Sequence, residues 1–187
     1  MTLASLNLQP VLPEIVLAAM ACLILLVDPF LPKRGPTVSY VLSLLTLVAL
    51  FVITLLQMDD SVRMSFGGMV VNDPMADVMK LAIYVFVAAV LIISRSYLRQ
   101  RGIDKGEYYM LGLFGVLGMM ITISSNHLLL LYLGLELLSL AMYAMTAFKR
   151  DDGRASEAAM KYFVLGALAS GILLYGMSLL YGVTGDL

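Results

Sequence analysis

Two ionisable residues stand where a charge is costly, Glu136 and Lys161, and an acid and an amine in such surroundings can take up and release protons. Glu136 interrupts the apolar stretch from His127 to Phe148, which is long enough to cross a bilayer as a helix. At ~1.5 Å per residue it lies about 14 Å from the His127 end, close to the midplane. A carboxylate at that depth costs about 2.5–3.5 kcal/mol, while each leucine returns about 0.3–0.6 kcal/mol. The surrounding leucines can carry that cost, so insertion alone does not reveal whether Glu136 is paired. Two readings stay open: a station on a proton or ion path, or a structural hydrogen bond to a neighbouring helix. Lys161 lies near the start of the apolar run from Ser156 to Tyr181, four residues after Glu157 and on the same helix face. It can snorkel to the headgroups on its long stem, or it can carry protons, since a partly buried lysine deprotonates readily. Glu136 on the preceding helix favours the second reading, because a buried acid and a buried base change the field each feels.

Other polar residues have plainer explanations. Tyr132 and Ser139, at i−4 and i+3 from Glu136, could orient it or a water chain, and Asn126, Tyr143 and Thr146 are the remaining polar groups of that stretch. Asp73-Pro74 with Asp77 reads as a helix start, from which Lys80 snorkels outward. Glu14, behind Pro13, suits the N-terminal dipole of the first helix, and Asp28-Pro29 closes that helix. Gly112, Gly115 and Gly118 follow no strand and form a packing surface instead of a nucleotide loop. Gly166, Ala167, Ser170 and Gly171 do the same on the last span. Cys22 and His127 are each the single residue of their type, which excludes a disulfide and a His/Cys metal or haem site built within the chain. The fourteen methionines are scattered and read as adaptable packing.

The elements that must position these residues are membrane helices. Of 187 residues 61% are hydrophobic and 13% charged, with a mean hydropathy of +0.94, a composition far too apolar for a soluble domain. The reading is all-α: a polytopic transmembrane bundle of about six helices forming one domain over residues 1–187, with spans near Leu12 to Phe30, Val38 to Met58, Met75 to Ile93, Tyr108 to Ser124, His127 to Phe148 and Ser156 to Tyr181. Between the second and third spans, Asp59 to Pro74 is too polar to cross, and its alternating Val62, Met64 and Phe66 predict a short surface hairpin turning at Phe66-Gly67-Gly68. No signal-peptide pattern precedes the first span. Loops after odd-numbered helices carry Lys33, Arg34, Arg95, Arg99, Arg101, Lys105, Lys149, Arg150 and Arg154, whereas those after even-numbered ones carry only Arg63. Basic loops stay cytoplasmic, so the N-terminus, the hairpin and the turn at Ser124 to His127 are expected outside. A net charge of −1 without a basic tract gives no footprint for nucleic acid.

Asn126-His127, Leu133-Gly134-Leu135-Glu136-Leu137-Leu138-Ser139-Leu140, Glu157-Ala158-Ala159-Met160-Lys161-Tyr162 and the closing Tyr181 to Leu187 together resemble the subunit N family of bacterial NADH-quinone oxidoreductase, respiratory complex I. Asn72-Asp73-Pro74 with Lys80 is similar to the same family. The resemblance implies an antiporter-like, proton-translocating subunit of the bacterial inner membrane, with a periplasmic N-terminus, about fourteen helices and two inverted five-helix repeats, each containing a broken helix. It makes Glu136 the family's fifth-helix glutamate and Lys161 its sixth-helix lysine. Its partners would be the other membrane subunits of complex I, the lipid bilayer and protons. No cofactor is expected in this chain, NADH, FMN, iron–sulfur clusters and quinone being handled elsewhere in the complex. The broken seventh helix of the family has no counterpart in these residues, so the chain is expected to be an N-terminal fragment whose helices insert but conduct nothing alone. Two other readings remain: a related subunit of a multisubunit cation/proton antiporter or membrane-bound hydrogenase, and a membrane scaffold without transport.

Overall fold

The computed structural model describes residues 7–30, 35–59 and 61–185. Six helices follow the expected spans: α1 (Leu12–Val27), α2 (Gly35–Gln57), α3 (Pro74–Gln100), α4 (Gly106–Ser124), α5 (Leu128–Thr146) and α6 (Gly153–Thr184). All six lie within helical stretches long and apolar enough to cross a membrane. Lys33 and Arg34, counted among the basic loop residues, lie outside the described residues, as do Asp186 and Leu187 of the closing motif.

Helix α4 is the hub, packing against α1, α2, α3 and α5, while α6 lies on the far side of α5. The core between the first four helices is built from Leu17, Ile24, Leu50, Tyr84, Leu113 and Met120. A stripe of Ser39, Ser43, Thr46 and Thr54 on α2 is buried with them. Small residues set the closest approach, that of α4 to α5. A methyl group at Gly118 would lie 2.6 Å from Leu138 N and 2.7 Å from Gly134 O, and one at Gly134 would lie 2.5 Å from Thr122 Oγ1. The expected packing surface of α4 is therefore real, with Gly118 at its tightest point. On α6 only part of the expected surface is used: Gly166 meets Tyr143, whereas Gly171 faces open space and Ala167 is exposed. The reason is that, among the described residues, α6 packs chiefly against α5, on one side.

Local chemistry fixes the helix ends. Asp73 caps α3 by accepting from Ala76 N at 2.7 Å, with Pro74 in the first turn. His127 Nδ1 accepts from Leu129 N at 3.2 Å to cap α5. Asp152 caps α6 through Arg154 N at 3.0 Å, and Gly185, at φ 72°, ends that helix in the left-handed conformation.

The hairpin between α2 and α3 forms, with β1 (Arg63–Ser65) antiparallel to β2 (Val70–Asn72) and Met64 opposite Val71. Phe66-Gly67-Gly68 form the turn, where they were expected. Phe66 enters it at φ 53°, followed by Gly67 and Gly68 at 68° and 93°, because the chain needs three successive left-handed residues to reverse there. The hairpin is tied to the α4–α5 turn: Asn126 N donates to Met69 O at 2.8 Å and Asn126 Nδ2 to Gly68 O at 2.9 Å. Both therefore sit at one end of the bundle. The basic residues gather at the other, where Arg150 pairs with Glu107 at 2.9 Å and Arg99 with Asp104 at 3.1 Å.

Candidate functional site

Helix α5 carries Glu136 about two turns from its start, and the side chain turns toward α6. Its Oε2 accepts a hydrogen bond from Ser170 Oγ at 2.5 Å, and the same Ser170 oxygen lies 3.1 Å from Tyr132 Oη. One serine hydroxyl thus joins the acid to a phenol one turn before it on α5. Ser170 has a single hydrogen and can offer it to only one of these two neighbours at a time. Glu136 and Ser170 are half-buried between the helices, where a hydrogen bond to a carboxylate is stronger than in water.

Sequence reasoning placed Tyr132 near Glu136 and missed Ser170, which it read as a packing residue. A hydroxyl among small residues on the next helix was the available signal, but which face of α6 meets α5 is a tertiary fact. Ser139, the other expected orienting residue, makes no hydrogen bond to Glu136. Its place is taken by the serine across the interface.

Lys161 is on the same helix as Ser170, nine residues earlier, so the two are separated by about 14 Å along the axis. It pairs with Glu157 at 2.6 Å, as its spacing predicts, and is 70% exposed on an uncovered side of α6. The structure does not bring Lys161 and Glu136 into contact. Between their levels, Tyr143 presents its hydroxyl at Gly166, with its ring edge-on to Tyr162 and Phe163 at 4.7 and 5.7 Å. An amide or hydroxyl of a larger residue at position 166 could not share that space, so the glycine is what lets Tyr143 reach across.

A second polar cluster corrects two expectations. Lys80 does not snorkel: it is 1% exposed, with Nζ 2.7 Å from Glu14 Oε1 and 2.9 Å from Asn72 Oδ1. Asn72 Nδ2 in turn donates to Asp77 Oδ1 at 2.9 Å. Glu14 is accordingly an ion-pair partner across two helices instead of only a first-turn acid. The pairing escapes sequence reading because 66 positions separate the two residues, and only the tertiary fold brings them together. No group of His, Cys, Asp and Glu suited to hold a metal ion occurs among the described residues.

Comparison with known proteins agrees with this architecture. The family described as NADH:quinone oxidoreductase/Mrp antiporter, TM, matches residues 125–187, the part holding Glu136, Ser170 and Lys161. The chain is 54% identical over 181 residues to NADH-quinone oxidoreductase subunit N of Thioalkalivibrio sulfidiphilus and 56% identical over 181 residues to that of Nitrosomonas europaea. Each match covers 97% of this chain and 38% of the relative, so the chain spans well under half the length of these proteins. Among solved structures, respiratory complex I from Thermus thermophilus with bound aureothin contains a chain with a TM-score of 0.75 and 32% identity, covering 94% of this chain and 38% of that one. The archaeal membrane-bound sulfane sulfur reductase shares the fold at a TM-score of 0.78 and 24% identity, over 95% of this chain and 38% of that one.

Proposed function

We propose, from the premise that this chain belongs to the family of NADH-quinone oxidoreductase N subunits, that it serves in a proton-translocating membrane subunit which couples electron transfer from NADH to quinone to proton movement. The observation that carries this reading is the acid of α5: Glu136, deep in an apolar span, is turned between two helices and held by a hydroxyl rather than by a fixed counter-charge. A carboxylate held in that way can be protonated and released without breaking an ion pair. Ser170, by turning its one hydrogen between Glu136 and Tyr132, adapts to either charge state of the acid.

Lys161 is the second proton carrier in this reading. Lys161 lies about 14 Å along α6 from Ser170, the residue that holds Glu136, so water and the Tyr143 hydroxyl between the two levels supply the route. The working partners are the other membrane subunits of the complex and the surrounding lipid, in the inner membrane of a bacterium, with the hairpin end facing the periplasm. Redox chemistry belongs to other subunits.

The test is Glu136→Gln in the assembled complex. The amide keeps the shape and can still accept from Ser170 but cannot ionise, so NADH-driven proton pumping should fall by about a hundredfold or more, the usual weight of a proton-transferring group. Unchanged pumping at normal assembly would make α5 a scaffold whose acid only bonds its neighbour.

A further inference from the structure

The buried cluster of the first three helices carries a charge imbalance. Glu14, Asp77 and Lys80 are 6%, 4% and 1% exposed, and they bring two carboxylates and one ammonium into one water-poor space. The chain of contacts is continuous: Glu14 to Lys80, Lys80 to Asn72, Asn72 to Asp77. Fully ionised, it would bury an uncompensated negative charge, which low-dielectric surroundings strongly disfavour. Binding a single proton makes it neutral. The other titratable group beside it is Tyr84 on α3, which feels both Glu14 and Asp77, while Thr54 of α2 and Ser124 of α4 are buried polar neighbours without charge, and among the described residues no ion pair adds a second cation to Glu14 or Asp77.

An apolar space borders the cluster. A pocket of about 440 Å³ opens beside Glu14, lined by Ala18, Phe66, Val70 and Ile121, and Ser124 is the other polar residue facing it. Beside this apolar space, Glu14 Oε2 and Ser124 Oγ are buried oxygens without a hydrogen-bond partner, and Glu14 Oε1 meets only Lys80.

We propose that Glu14, Asp77 and Lys80 form a second proton-binding centre, separate from Glu136, which holds one exchangeable proton on its carboxylates. Because the proton answers to the net charge of the group, it is a property of all three residues together. Either carboxylate can be left ionised against Lys80 if the other is made neutral.

Infrared spectroscopy of the whole chain in lipid bilayers, at neutral pH and in a Glu136→Gln background, tests this independently of the role of Glu136. The spectrum should show a protonated-carboxyl C=O band equivalent to about one group per chain, which shifts on transfer to heavy water. Glu14→Gln alone and Asp77→Asn alone should each abolish the band, since each leaves one carboxylate in the cluster to balance the charge of Lys80. Lys80→Met should instead roughly double it. The amides are close in shape to the acids they replace, and the unsubstituted cluster can be read without any of them. Absence of the band, failure to shift in heavy water, or its survival in either amide variant overturns the proposal and leaves a fixed structural ion pair.

Discussion

At the scale of single residues, Ser170 and Lys161 ask different questions of the same helix. A hydrogen bond to a carboxylate is worth about 1.5–3 kcal/mol, and 1.4 kcal/mol is about a factor of ten. If Ser170 tunes Glu136, Ser170→Ala should lower NADH-driven pumping by about tenfold, less than Glu136→Gln, and Ser170→Thr should restore most of it. Equal pumping by the Ala variant would reduce Ser170 to packing. For Lys161 the discriminating exchange is with arginine. Its exposure and its pair with Glu157 suit a snorkelling side chain, which Lys161→Arg would replace without loss. A proton carrier cannot be replaced so, because guanidinium stays protonated, and Lys161→Arg and Lys161→Ala should then both depress pumping several-fold at normal assembly.

Among the elements, α6 depends most on its own ends, since it packs chiefly against α5 and most of its surface is uncovered. Its start is organised by Asp152, which pairs with Lys149 at 3.1 Å and accepts from Arg154 N. The Lys149 ammonium, then the backbone N–H of Arg154, hold the Asp152 carboxyl below the usual carboxylate range. A depressed value in the folded state means that the cap strengthens the helix above the unfolded value and is lost as the pH falls through the folded one. The protection of the Arg154 to Glu157 amides against hydrogen exchange, relative to the intrinsic rate at each pH, should therefore fall only on acidification below the ordinary aspartate range. In Asp152→Asn, a neutral cap, that acid-dependent step should vanish; its persistence would assign the fraying to another group.

For the whole molecule, the two ends of the bundle differ in charge and in construction. The hairpin and the α4–α5 turn are stitched together at one end, and the arginine pairs with Glu107 and Asp104 mark the other. Basic loops are retained in the cytoplasm, and on that rule the hairpin end is expected outside. Single cysteines at Ser61 and Gly102, in a Cys22→Ala background, should react with an impermeant thiol reagent from opposite faces of the membrane, Ser61 from the periplasm. Labelling of both from one side would contradict the assignment.

Hydropathy over about twenty residues fixed the six helices from sequence alone, because a bilayer demands length and apolarity and little else. The same local rules revealed the hairpin, the cap at Asp73, the Glu157–Lys161 pair and the exceptional depth of Glu136. Sequence could not show what meets what across helices. Lys80 and Asp73 looked alike as residues of a helix start, yet one caps the backbone and the other is drawn inward to Glu14. Ser170 looked like its small neighbours until α6 turned it toward Glu136. Periodicity assigns a residue to a face of its own helix, but the partner of that face is decided by how helices pack, where a glycine such as Gly118 permits an approach that bulkier side chains forbid.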